Sequence, residues 1–207
     1  MGVQLERSRL AHQIQDAGPT PAQFLTQQLH RLPKGKALDV AAGSGRNALY
    51  LASHGFQVDA MDRDEQAMAT ARCHGETTEP PKSHVSGRWT SNERPMNGPE
   101  FPKQEYDVIV AFFYLHRALF PALIESLKPN GVLIYETFTI DNYLRHRHPR
   151  RWEFCLAHNE LLRLTSNLRV LSYDEGEHDG GHGPGAVFTA RLVAQQAGLS
   201  SLPHEST

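Results

Sequence analysis

From Thr20 onward the chain alternates between short apolar runs and amphipathic stretches, and glycine or proline marks most changes of period. Thr20-Pro21 reads as an N-cap followed by a first-turn proline. Phe24, Leu25, Leu29 and Leu32 then fall near helical spacing until Pro33-Lys34-Gly35 stops the run. Ala37-Leu38-Asp39-Val40-Ala41 is a short apolar strand, and the turn Gly43-Ser44-Gly45 opens from it directly into a helix over 46–52 with Gly55 as its C′ residue. Phe56 to Met61 predicts a second strand, and Asp64 can cap a helix running to about His74. Val85 to Trp89 has a weaker strand pattern, and 91–105 is a loop rich in Pro, Asn and Gly. Tyr106 to Phe113 is a near-continuous apolar run of the kind a strand buried on both faces requires. A helix to about Leu127, a Lys128-Pro129-Asn130-Gly131 turn and another buried strand from Val132 to Phe138 follow.

Beyond Phe138 lies an irregular basic segment, then a helix from Asn159 to Thr165 and strands from Leu168 to Tyr173 and Ala186 to Val193. Gly176, Gly180, Gly181, Gly183 and Gly185 lie between the last two strands and leave no room for a crossover helix, so that pair is expected to be antiparallel. Strands alternating with helices otherwise predict an α/β fold with a doubly wound, mostly parallel sheet. A length of 207 residues suits one such domain. Within it, 1–35 reads as a helical lead-in, 36–140 as a cofactor-binding core, and 141–195 as a substrate-side loop with the final strand pair.

Composition narrows the class of partner. No window approaches the ~18 consecutive apolar residues of a membrane span, and Glu6, Arg7 and Arg9 stand where a signal peptide needs an apolar run, so a cytoplasmic protein is expected. Cys73 and Cys155 are isolated thiols, ordinary for a reducing compartment. A net charge of −2 gives no global field to hold a polyanion, which argues against nucleic acid, and 207 residues leave little beyond the core fold, so a small-molecule partner is expected. The 12 histidines show no metal-ligand spacing, and His178 and His182, which flank glycines, read as turn residues, so no metal is expected.

The chemistry concentrates at the first strand. Gly43 and Gly45 end it where the backbone must turn sharply and a ligand can approach bare amides. Asp39 lies on that strand, and Asp62 closes the second strand 19 residues after Gly43, near the ~20 at which a carboxylate accepts the two ribose hydroxyls of a nucleoside. The glycines alone also satisfy a dinucleotide fingerprint. Asp39 separates the two, because a carboxylate beside a pyrophosphate is repelled, whereas one beside the ammonium of S-adenosylmethionine is favourable. A nicotinamide-dependent reductase and a non-catalytic module that senses S-adenosylmethionine are the competing readings.

These residues resemble a family. The stretch from Leu38 to Gly45 is similar to the first motif of class I S-adenosylmethionine-dependent methyltransferases, Asp62 to its ribose-binding acid, and the stretch from Leu127 to Leu133 to its turn and fifth strand. More narrowly, the stretch from Gly45 to Ala52 resembles the tellurite-resistance type, and Tyr114-Leu115-His116-Arg117 with Tyr135-Glu136-Thr137-Phe138 resembles small bacterial members. The resemblance implies a seven-stranded, Rossmann-like three-layer sandwich that turns S-adenosylmethionine into S-adenosylhomocysteine, as a monomer or weak homodimer. Asp39, Gly43 and Gly45 would hold the methionine end and Asp62 the ribose, Ala111 and Phe112 would line the far side, and Ala41, Arg46, Asn47, Arg63 and Trp89 would complete the cofactor site. Ala41 stands at the usual first glycine, a mild change because that residue is still within the strand, and the usual acid after the third strand is absent at Trp89-Thr90-Ser91.

On the acceptor side, His116 is the nearest candidate base, and Arg117, Glu136 and Thr137 stand on the same rim. Arg147 and Arg150, in the one dense basic stretch, could grip an anion with their planar forks, and the narrower resemblance suggests an oxyanion of tellurite or selenite type.

Overall fold

The computed structural model describes residues 20–62, 85–87, 101–179 and 185–198. The predicted helix from Asp64, Arg63, Trp89, most of the loop over 91–105, and His182 lie outside them.

A seven-stranded sheet organises these residues. Its strands are β1 (Lys36–Val40), β2 (Gln57–Met61), β3 (Val85–Gly87), β4 (Tyr106–Phe112), β5 (Leu127–Phe138), β6 (Arg169–Asp179) and β7 (Ala186–Gln195), in the order β3-β2-β1-β4-β5-β7-β6. The first five are mutually parallel, and β7 runs antiparallel between β5 and β6. The order reverses between β1 and β4, whose carboxyl ends therefore diverge and leave the crevice at which open α/β sheets bind ligands.

Helices cover both faces because the central strands are apolar on both sides. Val108, Val110, Val132 and Ile134 pack against α1 (Gln23–Gln28) and α2 (Arg46–Ser53) through Phe24, Leu25, Ala48 and Leu51. On the other face Ile109, Ala111, Leu133 and Tyr135 meet Phe120 and Leu123 of α3 (Phe120–Ser126) and Leu161 of α5 (Glu160–Leu164). Alternation along each strand thus assigns every rim residue to a face. Asp39, Glu136 and Arg191 fall on the α1–α2 face, since Asp39 alternates with Leu38 and Val40, and Glu136 and Arg191 occupy one pairing position.

Four predicted boundaries move. Helix α1 starts at Gln23 with Ala22 as N-cap, because the Ala22 N–H donates to Asn47 Oδ1 at 2.8 Å; a tertiary bond replaces the expected Thr20 cap. The Lys128-Pro129-Asn130-Gly131 turn is absorbed into β5, where the register with β4 slips between Tyr106 and Val108 and Asn130 takes φ 66°. The basic segment is not irregular throughout, since it holds α4 (Ile140–His146) with Arg147 in the left-handed C-cap. Finally, β6 runs on to Asp179, so Gly176 and His178 are strand residues and not turn residues.

Candidate active site

The site is built where β1 stops. Ala41, Gly43 and Gly45 all have positive φ (57°, 54° and 77°), and Gly45 is the N-cap of α2. The chain therefore leaves the sheet one residue earlier than the sequence suggests. Ala41 is a turn residue in the left-handed region, not the strand end, which makes its replacement of glycine a costly change for a residue with a Cβ. Nothing lies within 4 Å of a Cβ placed on Gly43, so the turn faces open space. The Ala42 N–H continues the pairing with β2 by donating to Met61 O at 2.9 Å, and the Gly43 N–H donates to Asp62 Oδ2 at 2.8 Å. Asp62 is thereby fixed beside the glycine turn.

Asp39 points into the same corner. It is buried, and its Oδ2 has no hydrogen-bond partner among the described residues. Burial pushes its carboxyl up to about 7; the Ala48 N–H and the charge of Arg46 oppose the rise, and the charge of Asp62 adds to it. Arg46, half-buried, is lowered by burial and raised again by the charges of Asp39 and Glu136. Arg46 is thus the link between the glycine corner and the end of β5. Asn47 is spent differently from the expectation, since its side-chain oxygen holds α1. Phe112 lies on the α1–α2 face at the end of β4, whereas Ala111 points into the opposite layer.

Glu136 is the acceptor-side residue that the structure brings to the corner. It is buried, accepts from Arg191 Nε at 2.8 Å and from Thr189 Oγ1 at 3.2 Å, and stands in the field of Arg46. Thr137 is buried as well but projects from the other face of β5. Arg117 turns away: its guanidinium forks Glu160 at 2.6 and 2.9 Å and donates to Glu153 O and Cys155 O. His116 is exposed at the start of that turn. Arg147 and Arg150 are exposed, and the Arg147 guanidinium lies over Tyr143, 5.3 Å from its ring centroid.

Arg191, Thr189 and His178 were missed as site residues. Their signal was a lone arginine within the apolar strand Ala186–Gln195, a charge that must find a partner where it is buried. Beside them an open cleft of about 390 Å³ separates α1 from the β6–β7 pair, lined among others by Gln23, Gln27, His178 and Arg191. Among the described residues no group of His, Cys, Asp or Glu is placed to hold a metal ion.

A glycine corner with a buried acid whose Oδ2 lacks a donor among the described residues, and a second acid at the end of β2, is the layout of a nucleoside-cofactor site on an open parallel sheet. The comparisons identify which one. The profile of the methyltransferase domain family matches residues 8–171, and the chain belongs to that family. Its fold is that of class I S-adenosylmethionine-dependent methyltransferases, and its sequence is related to TehB. A probable S-adenosyl-L-methionine-dependent methyltransferase TehB of Haemophilus influenzae is 28% identical over 148 residues, 68% of this chain and 48% of the relative. The chain thus spans about half the length of the curated relatives it matches. The crystal structure of TehB from H. influenzae superposes with a TM-score of 0.67 at 21% identity, covering 83% of this chain and 61% of that one. An S-adenosylmethionine-dependent methyltransferase from Methanosarcina mazei gives 0.62 at 17% identity, over 87% and 100% of the two chains.

Proposed function

We propose that the chain holds S-adenosylmethionine at the carboxyl ends of β1 and β2 and methylates a small molecule that enters beside the end of β5. The observation that carries the cofactor placement is the buried Asp39 Oδ2, an acceptor without a donor. A buried carboxylate in that state is costly, and the ammonium of the cofactor's methionine end is the donor that relieves it. The turn is open at Gly43 and admits the same end, and Asp62 takes the ribose hydroxyls once it exchanges its bond to the Gly43 amide.

S-adenosylmethionine supplies the methyl group and leaves as S-adenosylhomocysteine. The protein's contribution is geometric: in-line alignment of the acceptor with the methyl carbon at ~3 to 3.5 Å in a water-poor corner. Glu136, held by Arg191 and Thr189, is the polar group placed to orient an acceptor from the β5 side. His116, exposed after β4, is the candidate base where the acceptor carries a proton.

A second reading, an oxyanion acceptor of tellurite or selenite type, follows from the resemblance of the stretch from Gly45 to Ala52. The charges weigh against it, since Arg191 is offset by Glu136 and Arg117 by Glu160. Headspace detection of dimethyl telluride from protein supplied with S-adenosylmethionine, tellurite and a thiol reductant decides between an oxyanion and another small molecule.

Calorimetric titration with S-adenosylmethionine, S-adenosylhomocysteine and NADH tests the placement. Micromolar binding of the first two, no binding of NADH, and a loss of about tenfold or more in Asp62→Ala are expected, that loss being the scale of a charge-assisted bond. Unchanged affinity in Asp62→Ala would move the ribose elsewhere.

A further inference from the structure

A chain of side chains crosses three strands on the α1–α2 face. Asp174 of β6 meets His178 Nε2 at 3.1 Å, His178 Nδ1 meets Thr189 Oγ1 of β7 at 2.8 Å, and Thr189 Oγ1 meets Glu136 Oε1 of β5 at 3.2 Å. Its outer end is in water, the Asp174 side chain being 72% accessible, whereas the His178 side chain is only 8% accessible and Thr189 is fully buried.

Donor counting fixes the direction of this chain. A carboxylate only accepts, so the Thr189 hydroxyl must give its single proton to Glu136 and must then accept from His178 Nδ1–H. Asp174 is likewise only an acceptor, so the Nε2 that faces it must also carry a proton. All three contacts are therefore hydrogen bonds at once only when His178 is an imidazolium. When His178 is neutral, one contact is lost. With the remaining proton on Nε2 toward Asp174, Nδ1 becomes an acceptor and the Thr189 hydroxyl rotates from Glu136 to it.

We infer that His178 is a positioning residue for Glu136, and that loss of its proton reverses the Thr189 hydroxyl and releases one of the bonds that hold Glu136 against Arg191. The charged groups near the imidazole are Asp174, with Glu177 and Asp179 along β6, and, through Thr189, Glu136 and Arg191; α1 contributes the uncharged Gln23 and Gln27 across the cleft. Protonation at an outer edge of the sheet thus sets the order of the acid that faces the methyl acceptor. The catalytic importance of this switch rests on the acceptor-side role of Glu136 proposed above, but its existence does not.

The test uses the full chain labelled with ¹⁵N in histidine and arginine. His178 is assigned by the signals missing from His178→Gln, and its two ring nitrogens are followed from pH 5.5 to 8.5. The Arg191 Nε–H, bonded to Glu136, is compared with the Arg117 Nε–H, bonded to Glu160. Solvent exchange of Arg191 relative to Arg117 is expected to rise at least threefold as His178 passes from doubly protonated to the Nε2–H tautomer. In Thr189→Val that ratio should not depend on pH. A wild-type ratio flat with pH would overturn the proposal, as would a pH dependence that survives Thr189→Val or an Nδ1–H neutral form at high pH. S-adenosylhomocysteine titrated into the same samples reports separately on the methyltransferase site, so failure of cofactor binding and failure of the switch are read independently.

Discussion

Ala41 shows how one side chain can oppose a turn that its neighbours favour. Gly43 and Gly45 adopt positive φ without penalty, but Ala41 at φ 57° brings its Cβ against the following carbonyl, a conflict of roughly 1–2 kcal/mol. Glycine removes that conflict at the cost of a more flexible unfolded chain. Ala41→Gly is therefore expected to stabilise the protein by about 1 kcal/mol, a rise of roughly 2–4 °C in Tm for a chain of this size. Thermal unfolding checks it, and a lower Tm would mean that the Cβ of Ala41 contributes packing that outweighs the strain. The sequence marked the turn through its glycines but not the place where the strand ends, because an alanine is compatible with a strand as well. Only the pairing of β1 with β2, which stops at Val40–Met61, decides that.

At the scale of elements, Arg117 is the fastening of the excursion between β5 and β6. Residues 140–155 leave the sheet and return at an isolated bridge between Thr139 and Leu156, closed by the bonds Ile140 N–H to Leu156 O and Leu156 N–H to Phe138 O. Arg117 then ties the returning segment to the loop after β4 through Glu153 O, Cys155 O and the fork to Glu160, which also accepts from the Ala157 N–H. The Arg117 side chain is 41% accessible, so its ion pair is partly screened, and Arg117→Ala is expected to cost only about 1–2 kcal/mol. The loss should be local: hydrogen exchange ought to quicken over 153–164 while the central strands stay protected. Lysine cannot reproduce the fork, so Arg117→Lys should recover little of it. Uniform exchange across the sheet in Arg117→Ala would show that the excursion is held by its own packing. None of this was legible in the sequence, where Arg117 lies beside His116 and reads as a rim residue. Its partner Glu160 lies 43 residues away, and pattern reading reports only neighbours along one element. The same limit hid the Ala22–Asn47 cap and the Glu136–Arg191 pair, whose members are 25 and 55 residues apart.

For the molecule as a whole, the strands legible from period and burial were those at the centre of the sheet, since a strand buried on both faces must be apolar throughout and a glycine turn must mark its exit. The edge was less so: β6 is half exposed along its length, and its extension to Asp179 depends on pairing with β7 and not on its own pattern. In the proposed placement of the cofactor, the corner these strands build makes stability and cofactor binding share one proton. The folded Asp39 carboxyl titrates near 7 against 3.8 for an ordinary one, so the native state binds this proton more tightly than the unfolded chain does. Its contribution to stability is then fully present below about pH 4 and is lost as pH rises through about 7. An ammonium ligand reverses the preference by requiring the carboxylate. With a free-state value of about 7, the ionised fraction rises about tenfold between pH 6 and pH 8, and affinity for S-adenosylhomocysteine is expected to rise with it. Unliganded Tm should therefore fall across this range while the increment given by a fixed excess of S-adenosylhomocysteine grows, and Asp39→Asn should remove this part of both slopes. Thermal unfolding with and without the ligand from pH 5.5 to 8.5 measures the two together. If the increment were independent of pH in the wild-type chain, Asp39 would already be ionised in the free protein, and the donor for its buried oxygen would have to come from the protein itself.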